Sequence, residues 1–318
     1  MDFFKKHIRW VFAFAFTMLF VGSFQVLFSS PADFPAGSMI NIPHGASVPE
    51  IAQQLADAHI IAHPVPFQLL LRASGRSTRV QAGAYLFNSP ENLFTVAYRL
   101  AAGAYGIPPI RLTFPEGETA RGAAARITQA LPNISESEFL SVAQPYEGYL
   151  FPDTYLFSPS SDAEFIVRQM RANFNAKTVL LTDDIIASGH SLSEIVIMAS
   201  LIEREARAVA DRRMIAGILW NRLKLGMPLQ VDAVFGYIFN RNTYPPSLAD
   251  LKVDSPYNTY LHTGLPPGPI ANPGIESLQA AISPAKTDYL YYLTGSDDLM
   301  HYATTYVAHQ ANRAKYLQ

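Results

Sequence analysis

The chain contains no cysteine. Disulfide scaffolds, thiolate zinc sites, iron–sulfur clusters and thiol nucleophiles are therefore excluded, while the redox compartment stays open. Charge is also scarce: Asp, Glu, Lys and Arg supply 16% of the 318 residues, against about 25% in an average globular protein. The formal net charge is −2, so the basic excess of a nucleic-acid binder is missing. No Gly-rich phosphate loop, βαβ rhythm or G-x-S-x-G elbow occurs, and the histidines show none of the usual metal-ligand spacings. What the chain has is apolar content: 49% of it is hydrophobic, enough for real cores and too much for general disorder. Its length suggests about two domains.

One long hydrophobic run is present, at the start. Lys5, Lys6 and Arg9 precede an uncharged stretch from Trp10 to Phe28. As a helix this stretch would reach roughly 28 Å, close to the ~30 Å hydrocarbon core of a bilayer. The flanking cations place residues 1–9 in the cytoplasm and everything after about residue 30 outside. A cleavable signal peptide is the rival reading, with Ser29-Ser30-Pro31-Ala32 as its site; the length of the run favours an uncleaved anchor over 10–28.

Residues 29–38, rich in Ser, Pro and Gly, read as a linker. A small module is expected over 39–106. It contains a strand at 39–43, a helix capped by Ser47 with Glu50 as capping-box partner, a second helix near 66–74, a returning strand at 83–87, and a helix over 93–102 stopped by Gly103. A larger domain is expected over 107–318. Its first strand covers 110–114, and Thr119 caps a helix over 120–130.

The strongest anomaly is Ser191-Leu-Ser-Glu-Ile-Val-Ile-Met-Ala-Ser-Leu-Ile-Glu203-Arg-Glu205-Ala206. Ser191 and Glu194 form a capping box, so a helix starts there. At about 100° per residue, Leu192, Val196, Ala199, Ile202 and Ala206 share one face, Glu203 falls among them, and Arg204 and Glu205 point away. A carboxyl on an apolar face is costly unless paired or protonated. Protonated, it is a general acid; paired, with Arg204 or a distant arginine, it is a structural ion pair. Glu147 opens an aromatic loop, Gly148-Tyr-Leu-Phe-Pro-Asp153-Thr-Tyr155, whose flat rings suit sugar stacking as well as core packing. Gln230, Asp232, Tyr257 and Asn258 lie in or beside rigid Pro- and Gly-rich loops of the kind that line sites.

These segments together resemble the endolytic murein transglycosylase (YceG-like) family. The matching pieces are Glu147-Gly-Tyr-Leu-Phe-Pro-Asp-Thr-Tyr155, Ala199-Ser-Leu-Ile-Glu203-Arg-Glu205-Ala206, Asn221-Arg-Leu223 with Gly226-Met-Pro-Leu-Gln230 and Asp232, and Ser255-Pro-Tyr-Asn-Thr-Tyr260 with Gly264-Leu-Pro-Pro-Gly-Pro-Ile270. The resemblance implies an α+β protein with an N-terminal transmembrane helix, a small LysM-like α+β module and a larger mixed α+β catalytic domain. It implies a lytic transglycosylase of the inner membrane that cuts peptidoglycan strands between N-acetylmuramic acid and N-acetylglucosamine and leaves 1,6-anhydro ends. It places the catalytic acid at Glu203. Substrate contacts are expected from Glu147, Gln230, Asp232, Tyr257 and Asn258. Neither cofactor, metal nor nucleic acid is expected; association with cell-wall synthases is. A water-using muramidase and a non-catalytic glycan-binding scaffold are the competing classes.

Overall fold

The computed structural model describes residues 14, 17–18, 21–22, 24–25, 28–206, 208–241 and 246–317. The expected anchor over 10–28 lies mostly outside the described residues. Those of its members that are described, including Phe14, Met18, Val21, Phe24 and Phe28, are exposed. Among the described residues no single helix is long and apolar enough to cross a membrane. The contacts divide the chain into two units, 1–110 with 158–161, and 111–157 with 162–318.

The first unit is a two-stranded antiparallel sheet with helices. Strand β1 (Ser38–Ile42) pairs with β2 (Gly83–Phe87) in the register Ser38↔Phe87 to Ile42↔Gly83. Helices α1 (Val48–Asp57) and α2 (Pro64–Ala73) lie between the strands in sequence, and α3 (Leu93–Ala102) follows. Glu50 accepts from the Ser47 backbone N–H at 2.8 Å, the reciprocal half of the expected capping box. Gly103 ends α3 at φ 67°, a left-handed turn that a residue with a Cβ adopts only under strain. Ile51, Leu55, Phe67, Leu71, Tyr85, Phe87, Val96 and Leu100 form one core. Tyr85 is wholly buried and spends its hydroxyl on the Gln81 carbonyl at 2.8 Å.

The second unit is built around a buried helix. Strand β3 (Ile110–Thr113) pairs with β4 (Thr154–Phe157), and α4 (Ala120–Ala130), α5 (Glu136–Ala143) and α6 (Ala163–Val179) follow in this part of the chain. Short α7 (Thr182–Ser188) leads into α8 (Leu192–Glu205). Ser191 accepts from the Glu194 N–H at 3.2 Å and donates its own N–H to the Glu194 carboxylate at 2.8 Å, so α8 begins where the capping box puts it. Every residue from Ile195 to Ile202 is buried. Helices α9 (Val209–Lys224) and α11 (Ile275–Ile282) pack against α8, and α10 (Ala233–Ile238) reaches its C-terminal part. Hairpin β5 (Tyr291–Thr294) and β6 (Met300–Ala303), in the register Tyr292↔Tyr302, and helix α12 (Tyr306–Tyr316) close the chain.

The Pro/Gly-rich segment 264–274 is pinned to this frame. Buried Ser200 on α8 accepts from the Ile270 N–H at 3.1 Å. Asn272 accepts from the Leu150 N–H at 2.9 Å and donates through Nδ2 to the Glu118 carbonyl at 2.9 Å and to Glu147 at 3.0 Å. Gly148, at φ 84°, lets the aromatic loop approach so closely that a Cβ there would stand 2.4 Å from Pro269. The loops that read as rigid in the sequence have buried polar groups that satisfy one another.

Candidate active site

Three consecutive charged residues end α8, and each enters a different environment. The expectation that Glu203 faces the core is met, since its side chain is buried, while the expectation that Glu205 points away is corrected here, because it is held by Tyr292 and the Ala233 N–H. Helix α8 is buried on every side from Ile195 to Ile202, and its last turn, partly exposed at Glu203, Arg204 and Glu205, packs against α10 and β5.

Glu203 is an ion pair. Its side chain is 4% exposed, Oε1 accepts from Arg212 Nη2 at 3.0 Å and Oε2 accepts from the Gly274 N–H at 2.9 Å. Arg212, itself buried, also pairs with Glu276 and approaches Glu116 to 3.9 Å. Both Glu203 oxygens are therefore engaged as acceptors, which is the bonding of a carboxylate that holds structure together. Burial, and next the Glu203 charge, push the Glu116 carboxyl up.

Glu205 has the environment expected of an acid. Oε2 accepts from the Tyr292 hydroxyl at 3.0 Å and Oε1 from the Ala233 N–H at 3.4 Å, with no ion-pair partner among the described residues. Burial pushes its carboxyl up, opposed by the Tyr292 hydrogen bond and reinforced by the neighbouring Asp232 charge. Asp232 is exposed and accepts from Tyr260 Oη at 2.6 Å. Gln230, also exposed, sits at φ 51° and donates its N–H to the Thr259 carbonyl at 3.0 Å. Arg222, buried beneath this wall, donates to the Leu229 carbonyl at 2.8 Å, the Leu290 carbonyl at 2.6 Å and Gln230 Oε1 at 3.3 Å. Two carboxyl groups, each with its own tyrosine hydroxyl, thus meet at the junction of α8 and α10.

A cleft of about 290 Å³ opens beside this junction. Glu147, Arg121, Arg204, Arg241, Tyr237 and Tyr257 contribute to its lining. Arg204 donates to the Gly117 carbonyl at 3.2 Å. Both oxygens of buried Glu147 accept from the Ala120 N–H, at 3.0 and 3.1 Å. Burial raises this carboxyl from 4.5 to about 7, against the hydrogen bonds from Ala120 and Asn272. The Tyr237 and Tyr257 rings lie 5.0 Å apart.

Of the residues expected from sequence, Gln230 and Asp232 share the wall beside Glu205, and Glu147 and Tyr257 share the cleft. Asn258 belongs to neither. It is fully buried, donates to the Leu251 and Val253 carbonyls at 3.0 and 2.9 Å, and accepts from the Tyr260 N–H at 3.0 Å, so it is a loop brace with nothing left for a sugar. Sequence reasoning missed Glu205, Tyr260, Tyr292, Arg222 and Asn272 as site residues. The second Glu of Glu203-Arg-Glu205 was visible, but a helical wheel cannot place it when the turns before it are buried on every side. Among the described residues no group of three or more His, Asp or Glu is placed to hold a metal ion.

A profile described as the YceG-like family matches residues 40–315. An endolytic murein transglycosylase of Bacillus subtilis is 35% identical over 305 residues, covering 87% of this chain and 84% of that protein. One of Streptococcus pneumoniae is 28% identical over 320 residues, and the match spans 58% of its longer chain. The crystal structure of a YceG-like protein of Listeria monocytogenes superposes with a TM-score of 0.60 at 30% identity, over 87% of this chain and 99% of that one.

Proposed function

Because this chain belongs to the YceG-like family, we propose that it is an endolytic peptidoglycan transglycosylase whose proton donor is Glu205. The observation that carries the reading is a partly buried carboxyl with no ion-pair partner among the described residues, held by Tyr292 and facing the Asp232–Tyr260 pair. A like charge beside a desolvated carboxyl keeps the proton on, as a general acid at neutral pH requires.

Protonated Glu205 gives its proton to the glycosidic oxygen between N-acetylmuramic acid and N-acetylglucosamine. The C1–O bond of the muramic sugar breaks and positive charge develops at C1, beside the Asp232 carboxylate. Ionised Glu205 then takes the proton of the same sugar's C6 hydroxyl, and O6 closes on C1. One C–O bond is lost and one is made, the acid recovers its proton, and no water is consumed. The internal nucleophile has the advantage of high effective concentration. A muramidase would use a second carboxylate to activate water and would leave a product heavier by one water. Gln230 and Asp232 line the side from which sugar hydroxyl and N-acetyl groups are met. Glu203 is a positioning residue that ties α8 to Arg212 and Gly274.

Glu205→Gln is expected to lose about 10²–10⁴ in rate with its melting temperature near wild type. Glu203→Gln is expected to melt earlier and to lose less than about tenfold in rate. Mass spectrometry of products from purified sacculi gives both rate and product type. Turnover by Glu205→Gln with loss in Glu203→Gln would put the acid at 203 and reverse this assignment.

The reading extends to the rest of the chain. Residues 10–28 anchor it in the inner membrane with the N-terminus cytoplasmic, supported by the cations at Lys5, Lys6 and Arg9 before an uncharged run. The first unit is a LysM-like module, supported by its two-stranded sheet with helices α1 and α2 between the strands. The substrate is newly made strand, which places the enzyme beside the synthases that extrude it.

A further inference from the structure

The wall beside Glu205 accounts for a sugar, and the adjoining cleft remains to be explained. Three guanidinium groups, Arg121, Arg204 and Arg241, line it: Arg204 donates to the Gly117 carbonyl, Arg121 acts on the charge of Glu147, and that carboxyl is itself buried against Ala120 and Asn272, so the lining carries more cations than carboxyls. Uncharged hydroxyl and N-acetyl groups have no need of three cations. Arginine in number is the signature of carboxylate or phosphate recognition, since its planar fork bonds two oxygens at once. Tyr237 and Tyr257 add flat apolar surface. The volume, about 290 Å³, lies near the lower limit of ~300–1,000 Å³ for small-ligand sites, room for a short peptide segment.

The placement narrows the ligand. Helix α10 begins at Ala233, whose N–H meets Glu205, and its Gly236–Ile238 stretch forms a cleft wall. Tyr237 lies four positions after Ala233, about 6 Å along a helix. In peptidoglycan the peptide stem branches from the very muramic ring whose C1 is attacked. A stem-reading site must therefore lie about one ring's width from the acid, and the stem is the part of the polymer that carries carboxylates.

We propose that this cleft is a stem-peptide subsite in which Arg121 and Arg241 bind the free carboxylates of the peptide on the muramic acid being cleaved. This rests on the transglycosylase reading and deepens it: the enzyme reads the peptide as well as the glycan.

The test measures binding, so it does not depend on turnover. Full-length Glu205→Gln protein is titrated with soluble glycan oligomers in three forms: with native stems, with stem carboxylates amidated, and stripped of stems by an amidase. Native stems are expected to bind at least tenfold more tightly than either of the others, with an advantage that shrinks as salt is added. Adding Arg121→Gln and Arg241→Gln is expected to bring the three affinities together while the melting temperature holds. Equal affinity for native and amidated stems, or an advantage that survives the double arginine substitution, overturns the proposal. Failure of the function itself would read differently, as wild-type protein that releases no anhydro product from sacculi.

Discussion

A carboxyl group at the end of a buried helix has two stable fates, and α8 displays both within three residues. Glu203 finds Arg212 and a backbone N–H; Glu205 finds a phenol and another acid. Sequence identified the anomaly and its neighbourhood, but it could not say which carboxyl is paired. The cation that decides it, Arg212, is nine positions away from Glu203 on another helix. Glu147 offers a measurable consequence at the same scale. Its carboxyl is raised from 4.5 to about 7 by burial, so the folded state binds the proton more tightly than the unfolded chain. That stabilisation is complete below the unfolded value and is lost as pH rises through about 7. The gap is worth about 3 kcal/mol. Glu147→Gln keeps an oxygen to accept from Ala120 and Asn272 and has nothing to titrate. Its melting temperature relative to wild type is therefore expected to rise by roughly 5–10 °C between pH 5 and pH 8. Glu116 and Glu205 titrate in both proteins and cancel in the difference. A difference flat with pH would mean that Glu147 is solvated in solution.

Elements were legible where local chemistry determines them. The capping boxes at Ser47 and Ser191, the Thr119 cap and the glycine stop at 103 all act within four residues, and the helices begin or end there. The loops were legible as rigid, yet not in what they are rigid for. Asn258 illustrates the difference: its position in Ser255-Pro-Tyr-Asn-Thr-Tyr260 resembles a binding residue's, while its bonds go to Leu251, Val253 and Tyr260. Periodicity carries no information about contacts made by an irregular backbone. Asn258→Ala leaves buried backbone groups without partners, at about 2–4 kcal/mol in total. Thermal unfolding is expected to show that loss as a lower melting temperature, with KM on soluble glycan unchanged in the protein that remains folded. A raised KM at unchanged melting temperature is what a sugar-binding Asn258 would give.

At the scale of the whole molecule, Phe67, Tyr85 and Phe87 belong to one core among the described residues and the α8, α9 and α11 side chains to another. The first core draws its members from Ile42 onward, and the described residues of 14–28 include large apolar side chains that are about half exposed or more. None of the described apolar side chains of 14–28 is a member of either core, although Phe28 stacks on half-exposed Phe94 of α3, and a bilayer is where an uncharged run of this length is stable. Removing residues 1–28 should therefore separate location from chemistry. The shortened protein is expected to leave the membrane fraction on alkaline extraction, to keep the melting behaviour of both units, and to release anhydro-ended products from soluble glycan at close to the full-length rate. Full-length protein that extracts freely at high pH would end the anchor reading. A shortened protein that melts early would instead assign the run a share of the first core, because only lost packing, not lost membrane contact, lowers stability in detergent-free buffer.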